Sequence, residues 1–360
     1  MTSEWPIRSD RRSDAPRSAC AENAPAVSEN RLHDAAFDLT MPAGHRLSDR
    51  VRAAASTMLE AVTYDIERDL RLSLLPRLPE KAELQASLSA SSVAIALPLL
   101  FDAGLLRHPP LIALVVRRAE AFFLAQRIAA TSEGRRNALI DDDDPAIAAA
   151  AMELLLAESR ALDRFNEPAL LFDDLPAEVV HWLVWQVSAA LRHYLSAEQG
   201  MAGGAADAMI TEAAGALLAA HDEERGLSAV AAKLAARLGA AGRIDGALLG
   251  PLLEGGEVSA FVAALANGGG ISGEEAWDIV AEPVHGRLAL LLRAAGVTRD
   301  EAGELLLHLR EDPDAIAAEI DAFDLLDEAD VRRAMPSANQ SREYRSALAR
   351  LDFHRASTAS

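Results

Sequence analysis

Apolar residues recur at steps of three and four along most of the chain, which is the spacing of one face of an α-helix. The clearest run consists of Leu47, Val51, Ala54, Met58, Val62, Ile66 and Leu70. We predict a long amphipathic helix here that ends at Pro76 and Pro79, since proline removes a backbone donor and clashes inside a helix. Thr63 and Tyr64 interrupt the apolar period, and we expect a break in the helix near them.

The stretch from Pro176 to Leu195 lies near the middle of the chain and holds two of its four tryptophans. Its apolar face consists of Val180, Leu183, Val184, Val187, Leu191 and Tyr194. A second line on helical steps consists of Glu178, His181, Trp185, Ser188 and Arg192. A helix that is apolar nearly all round is usually buried between neighbours. Two interpretations stay open: a central helix packed on both sides, or one that leaves Trp185 for a partner.

Prolines, glycines and capping residues divide the rest of the chain into short helices. Pro98 is expected to kink or divide a helix, and residues 111–118 and 121–129 are predicted as separate elements. Four sites have the sequence of a helix start, namely Asp144–Pro145, Asp312–Pro313, Ser272-x-x-Glu275 and Thr298-x-x-Glu301. Short helices in regular succession are typical of an α-solenoid, in which each unit buries its face against the next. We predict an all-α solenoid of short antiparallel helices.

These patterns divide the chain into four segments. Residues 1–44 show no sustained period, so we predict a disordered N-terminal segment. Residues 45–200 are predicted to form an N-terminal helical array that ends in the central helix 176–195. Residues 205–330 are predicted to form a C-terminal helical array, and residues 335–360 a polar tail.

The composition favours helices and disfavours a phosphate-bearing partner. Half of the residues are hydrophobic and only 4% are aromatic, with alanine and leucine the dominant types. The net charge is −20, and eleven acidic side chains stand against two arginines between Asn137 and Val180. Because an acidic surface repels a phosphate backbone, we expect no nucleic-acid binding.

The single cysteine, Cys20, leaves no internal disulfide and no cysteine-based metal site. The polar N-terminus lacks the apolar core of a secretory signal. The longest apolar runs, around residues 93–106 and 111–116, are too short or too interrupted to span a bilayer. We therefore expect a cytoplasmic protein without a membrane span.

Three patterns that suggest chemistry have simpler structural interpretations. The glycine run 267–273 lacks the preceding strand and the following Lys–Ser/Thr of a phosphate loop, so we interpret it as a turn between helices. The run Asp141–Asp144 lacks the alternating acids of a calcium loop, so we interpret it as a helix cap and solvated turn. No two of the nine histidines have H-x-x-x-H spacing. We expect no metal, no cofactor and no catalytic residues.

Several blocks resemble one family when they are read in order along the chain. They include V-T-Y-D-I-E-R-D-L-R-L-S-L-L-P-R-L at 62–78, S-V-A-I-A-L-P-L-L-F-D-A-G-L-L at 92–106, A-L-I-D-D-D-D-P-A-I-A-A-A-A-M-E-L-L-L at 138–156, L-L-E-G-G-E-V-S-A-F-V-A-A-L-A at 252–266 and L-A-L-L-L-R-A-A-G-V at 288–297. Together they are similar to the alphaproteobacterial family called domain of unknown function 2336, over about residues 48–326. The resemblance implies a HEAT-like helical repeat and brings no catalytic residues with it.

The leading functional hypothesis is a non-enzymatic helical-repeat protein that binds another protein, since solenoids expose a long continuous surface. We place the partner-binding residues on the central helix, with Trp185 and Arg192 first because tryptophan and arginine are typical anchors. His181 and Ser188 lie on the same predicted line. One alternative is a signalling component that accepts a phosphoryl group on His181 or His193. Another is a helical protein that binds a small molecule between its repeats.

Overall fold

The computed structural model describes residues 46–78, 82–90, 93–131, 138–282 and 286–327, together with residues 329, 331 and 344. The chain divides into two compact units, Met1–Ser48 and Asp49–Ser360, and every helix named below lies in the second unit. The predicted disordered segment 1–44, which includes Cys20, lies outside the described residues. The predicted tail 335–360 also lies outside them, except for Tyr344.

Helices account for nearly all of the regular structure in the described residues. They are α1 (Asp49–Leu74), α2 (Ala82–Ser89), α3 (Ala96–Asp102), α4 (Pro109–Thr131), α5 (Pro145–Arg160), α6 (Ala177–Ala197), α7 (Gly203–Ala219), α8 (Leu227–Ala240), α9 (Gly246–Glu254), α10 (Val258–Gly269), α11 (Gly273–Ala281), α12 (Arg287–Ala294), α13 (Arg299–Leu309) and α14 (Pro313–Leu325). Short 3-10 turns occur at Leu75–Arg77, Ala138–Asp141, Phe172–Asp174 and Glu223–Arg225. This part of the chain contains no β-strand, so the predicted all-α class is confirmed. None of these helices is both long and apolar enough to cross a bilayer.

Two helices are more regular than their sequence pattern indicated. α1 continues through Thr63, whose hydroxyl donates to the carbonyl of Leu59 at 2.7 Å without interrupting the helix. α4 is one helix of 23 residues where two elements were predicted. Pro98 lies in the first turn of α3, where helix N–H groups have no partner within the helix in any case. The predicted break in α1, the division of α4 and the kink at Pro98 are therefore wrong.

α1 is the centre of a first group of helices. Its buried face includes Val62, Ile66 and Leu70, each at most 1% exposed. The helix packs against α3, α4, α6 and α7. Full burial of a side chain of this size stabilises a fold by roughly 1.5–3 kcal/mol, so this one face holds four neighbours in place.

α8 and α10 are the centre of a second group. α8 packs against α5 and α10, while α10 also packs against α9, α11 and α12, and α13 pairs with α9 and α14. One apolar core extends through these helices, from Ile128 to Phe323. α5 belongs to the predicted N-terminal array (residues 45–200) and α8 to the predicted C-terminal array (residues 205–330). Because these two helices pack against each other, contacts cross the predicted boundary. That division stays a prediction.

α4 contacts both groups, with α1 on one side and α9, α10 and α11 on the other. Charged side chains of α4 fix its position. Nη2 of Arg118 lies 3.1 Å from Oδ2 of Asp174, the last residue of the 3-10 turn before α6. Arg127 donates to the carbonyl of His308 in the last turn of α13 at 3.0 Å. These contacts make α4 the element that links the two groups.

α6 and α7 form a hairpin whose two ends meet at one place. The N–H of Leu227, at the start of α8, donates to Asp174 at 2.8 Å. The N–H of Asp222, after α7, donates to Asp173 at 3.3 Å. A Cβ atom at Gly226 would lie 2.5 Å from the carbonyl oxygen of Asp173, so this close approach of the backbones requires glycine.

A buried ion pair closes the ends of two short helices against α1. Glu67 and Arg71 are 0% and 3% exposed, and Nη1 of Arg71 donates to Oε1 of Glu67 at 2.9 Å. Arg71 also donates to carbonyls at and just beyond the C-terminal end of α2, those of Ser87, Leu88, Ala90 and Val93. The Glu67 carboxylate accepts the N–H groups of Ile95 and Ala96 at the start of α3. Each charge is thus surrounded by backbone groups that helix ends leave without a partner.

Two further charged residues, Arg310 and Glu319, bind backbone groups at the end of α11 and the start of α12. Arg310 donates to the carbonyls of Val280 and Glu282 at the end of α11, at 2.7 and 3.0 Å. The carboxylate of Glu319, which is fully buried in α14, accepts two N–H groups at the start of α12, both at 3.2 Å. The fold therefore uses buried charges at helix ends in both groups of helices.

We expect Arg71→Met to destabilise the protein by about 3–5 kcal/mol, because it leaves the Glu67 carboxylate and several carbonyls buried without their donor. Arg68→Met is the matched control on the same helix. Arg68 pairs with Asp65 and Asp69 at the surface, where ion pairs contribute about 0–1 kcal/mol. Urea unfolding followed by circular dichroism measures both losses, and equal losses would contradict the role assigned to Arg71.

Candidate functional site

α6 carries the residues predicted to bind a partner. The helix packs against α1, α3 and α7. Leu183, Val187 and Leu191 are fully buried on this packed side. The other side of α6 faces solvent over part of its length, so the helix is not packed against neighbours on all sides.

Four residues on the solvent side of α6 form a line, His181, Trp185, Ala189 and Arg192, termed here the α6 line. His181 and Arg192 are exposed and Trp185 is half-buried. Ser188, which was predicted to lie on this line, is only 1% exposed. The line passes through Ala189 instead, because the step from Trp185 to the next exposed residue is four residues, and one residue corresponds to about 100° around the helix. The predicted position of Ser188 on the exposed line is corrected accordingly.

His181 and Trp185 form a pair one helical turn apart. The indole Nε1–H of Trp185 donates to Nε2 of His181 at 3.1 Å, and the rings meet edge to face with centroids 6.2 Å apart. Because Nε2 accepts this hydrogen bond, the neutral imidazole carries its proton on Nδ1. Trp185 thus presents an apolar surface whose polar atom already has a partner, which suits contact with an apolar side chain.

Arg192 lies at the other end of the α6 line and is paired with α7. Its Nε donates to Oδ1 of Asp207 at 2.9 Å, and this hydrogen bond raises the pKa of the guanidinium. Asp207 is thus the partner of the cation that neighbours the exposed His193 in the sequence. Sequence reasoning missed Asp207, since it lies among alanines on another helix and only the hairpin brings it to Arg192.

The second tryptophan of α6 has a different environment. Trp182 stacks on the ring of His108, which precedes α4, with centroids 4.1 Å apart and planes 12° apart. Both side chains are half-buried. This stack holds α6 to the start of α4 and leaves Trp185 as the tryptophan of α6 that is available to a partner.

A second polar cluster joins α4 to α11. Arg117 donates to both carboxylate oxygens of Asp278 at 2.7 and 2.8 Å, and its Nη1 lies 3.4 Å from Glu274. Nε1 of Trp277 donates to Glu120 at 3.3 Å. Burial raises the pKa of Glu120, and the hydrogen bond from Trp277 opposes that shift. These groups pair with one another, so the cluster accounts for the attachment of two helices.

The aspartate run has the structural role predicted for it, whereas the glycine run 267–273 has it only in part, because α10 continues through Gly269 and the turn between helices consists of residues 270–272. Gly270 ends α10 with a φ of 63°, in the left-handed region, and the hydroxyl of Ser272 accepts the N–H of Glu275 at the start of α11. Asp144 accepts the N–H of Ala146 at the start of α5 at 2.8 Å. Within the described residues, no three His, Cys, Asp or Glu side chains are grouped to hold a metal ion.

A family model described as an uncharacterised protein conserved in bacteria (DUF2336) matches residues 95–342, which is more than half of the chain. The match confirms the resemblance to this family and spans α3 to α14, while the block quoted at residues 62–78 lies outside the matched range. No curated protein matches the chain, and no solved structure matches it.

We expect the stability that Glu120 contributes to fall as the pH rises. A carboxyl group whose pKa is raised on folding binds more protons in the folded state. Its contribution is therefore complete below the unfolded value of about 4.3 and is lost as the pH rises through the folded pKa. Glu120→Gln keeps an acceptor for Trp277 and removes the charge. Relative to the wild type, the free energy of unfolding of this variant should increase between pH 4 and pH 7.

Glu301→Gln is a control for which the difference in stability from the wild type should change with pH in the opposite direction. Hydrogen bonds from the backbone N–H and the hydroxyl of Thr298 lower the pKa of Glu301, so its contribution is present at neutral pH and is lost as the pH falls through the lowered pKa. Relative to the wild type, this variant should become less stable between pH 4 and pH 7. Urea unfolding at both pH values measures the two differences, and differences of the same sign would contradict the raised pKa of Glu120.

Proposed function

Because the chain belongs to the bacterial family DUF2336, whose description names no activity, we propose a function from the exposed chemistry of its fold. We propose that it is a non-enzymatic helical-repeat protein of the cytoplasm that binds another protein through the α6 line. Its role would be that of a scaffold or adaptor.

The hydrogen-bonded pair of His181 and Trp185 is the observation that carries this proposal. Covering the remaining exposed part of the indole would bury apolar area without leaving its N–H unpaired, because His181 already accepts it. An indole held in this way also loses little conformational freedom when a partner binds. Tryptophan is among the residues that most often dominate protein interfaces.

Arg192 supports the same surface from its other end. The guanidinium is exposed and held by Asp207 at 2.9 Å, so it is oriented before any partner arrives. Exposed polar groups of this kind typically form the rim of an interface around an apolar centre. The α6 line therefore combines an aromatic centre with a hydrogen-bonding edge.

The repeat part of the proposal is supported by helices that pack on near neighbours along the chain, such as α6 with α7, α10 with α11 and α13 with α14. A HEAT-like solenoid is built from pairs of this kind. Contacts between distant helices, such as α1 with α4 and α9 with α13, add long-range packing to the arrangement.

The non-enzymatic part rests on how the conspicuous charged groups are used. The buried pair of Glu67 and Arg71 closes helix ends, and the pair of Arg117 and Asp278 attaches α11 to α4. Catalytic groups, by contrast, converge on a cleft that a substrate can enter. These polar groups are satisfied by the fold itself, which favours a structural and binding role.

We expect Trp185→Ala to weaken binding of the partner about 30-fold or more, which is the effect of removing an anchor that contributes at least about 2 kcal/mol. Arg192→Glu should also weaken binding, because it places two carboxylates side by side at Asp207. Affinity purification of the tagged full chain from its native cell identifies the partner. Titration of that purified partner with each variant then measures the change in Kd.

Ser188→Ala is the matched control for this experiment, since Ser188 lies on the same helix but is buried. Its hydroxyl has no hydrogen-bond partner among the described residues, so the substitution should preserve both fold and binding. Unchanged affinity of both Trp185→Ala and Arg192→Glu would sink the α6 line as the binding surface.

A further inference from the structure

The hydrogen bond between Trp185 and His181 is possible in only one protonation state of His181. The indole N–H is a donor and cannot accept, so Nε2 of His181, which lies 3.1 Å from Nε1 of Trp185, is the acceptor. Nε2 has a free lone pair only in the neutral imidazole, because the protonated ring carries a hydrogen on both nitrogens. The pair therefore requires a neutral His181, and it is lost when the ring gains a proton.

Protonation would place two donors opposite each other. The indole N–H and the new Nε2–H would meet with no acceptor between them, so the two rings must turn away from each other. Their present arrangement is edge to face, with the ring planes 62° apart and the centroids 6.2 Å apart. His181 is exposed and Trp185 is half-buried, so the solvent on this side of α6 leaves room for the movement. Imidazole is the side chain that ordinarily changes its charge between about pH 5 and pH 8.

We propose that His181 is a pH-sensitive switch, whose neutral ring holds Trp185 in the α6 line and whose protonated ring releases it. The effect of this switch on binding rests on the function proposed above. A partner that covers the indole of the released Trp185 buries an N–H that has lost its acceptor, and an unpaired buried donor weakens binding. Because the neutral form is the one that binds, the apparent affinity falls with the fraction of neutral His181, and therefore falls as the pH falls.

Several other charged groups lie on α6 and on the segments that pack against it. They include Glu178 of α6, Glu60 of α1, Asp102 of α3, Arg107 before α4, Glu212 of α7 and Glu223 after α7. Two of these segments also carry a histidine. His108 stacks on Trp182, and Nε2 of His221 lies 3.0 Å from the carbonyl oxygen of Leu175. Because histidine is the residue type that titrates in this range, the test compares proteins that differ at His181 alone.

The indole N–H signal of Trp185 reports on the switch without any partner. The chain has four tryptophans. In the NMR spectrum of the isotope-labelled full chain, the indole signal that Trp185→Phe removes is that of Trp185. We expect its chemical shift to change between about pH 8 and about pH 5.5, because the N–H loses its acceptor over this range. Both values lie above the isoelectric point of about 4.9, so the chain keeps a net negative charge throughout.

His181→Gln keeps an acceptor for the indole N–H and removes the titration, because a side-chain amide oxygen accepts hydrogen bonds and carries no titratable proton. In this variant the Trp185 signal should stay constant between the two pH values. His193→Gln is the matched control, since His193 is also exposed on α6 and forms no hydrogen bond with a tryptophan in the described part of the chain. The Trp185 signal of this control should move as it does in the wild type.

The three spectra separate the possible outcomes. A signal that moves in the wild type and in His193→Gln, but not in His181→Gln, supports the switch. His108 and His221 are present in all three proteins, so they cannot produce that difference. A Trp185 signal that is constant in the wild type overturns the switch, and so does one that moves equally in the wild type and in His181→Gln.

The purified partner tests whether the switch controls binding. From the higher to the lower pH, the Kd of the wild type divided by that of His181→Gln should rise at least about fivefold, which is the effect of one buried donor without an acceptor. The ratio removes any titration of the partner itself. A constant ratio, with binding still weakened in Trp185→Ala, overturns this control of binding and leaves the proposed function standing. If Trp185→Ala instead binds as the wild type does while the indole signal follows His181, the proposed function falls and the switch stands.

Discussion

Short helices leave many backbone N–H and carbonyl groups without partners, and this protein supplies those partners from buried charged side chains. Arg71 gathers the carbonyls at the end of α2 while Glu67 holds the start of α3, and the two charges neutralise each other inside the fold. Arg310 and Glu319 also bind backbone groups at the ends of α11 and α12, although Oε1 of Glu319 has no hydrogen-bond partner among the described residues. A charge buried without such partners would cost several kcal/mol. Helix ends and charges can therefore be buried only together, and the packing of the short helices depends on this mutual satisfaction.

Charged side chains also fix the position of α4, the helix that joins the two groups of helices. Its apolar residues contact the helices around α1 and around α10, and its charged residues bind specific groups on either side. Apolar contacts alone tolerate sliding along a helix, whereas the two hydrogen bonds from Arg117 to Asp278 are formed in one position only. Glu120 is held in this junction despite the burial that raises its pKa. The junction thus combines buried apolar area, which stabilises the fold, with directional hydrogen bonds, which fix the position of α4 along α11.

Most helices could be predicted from the sequence because their buried faces are rows of leucine and alanine, and α5 and α14 begin at the predicted starts, Asp144–Pro145 and Asp312–Pro313. α4 was predicted as two elements, residues 111–118 and 121–129, with Glu120 in the gap between them, although Glu120 accepts the indole N–H of Trp277 on α11. Ser188 was placed on the exposed line because serine is polar, but it is small enough to lie in the core. A polar residue within an apolar row is visible in the sequence. The neighbouring side chains that allow it to be buried lie on other helices, and the sequence does not show which ones. The α6 line as a binding surface stays a prediction.

The hairpin of α6 and α7 packs against α1, and its two ends meet at its base, where Asp174 caps the start of α8 and Gly226 lets the two backbones approach. Because the two ends are held side by side, a longer turn between α6 and α7 adds only a small loop-closure entropy. Residues 198–202, which form that turn, can therefore change in length while the packed helices and the junction at the base keep their register.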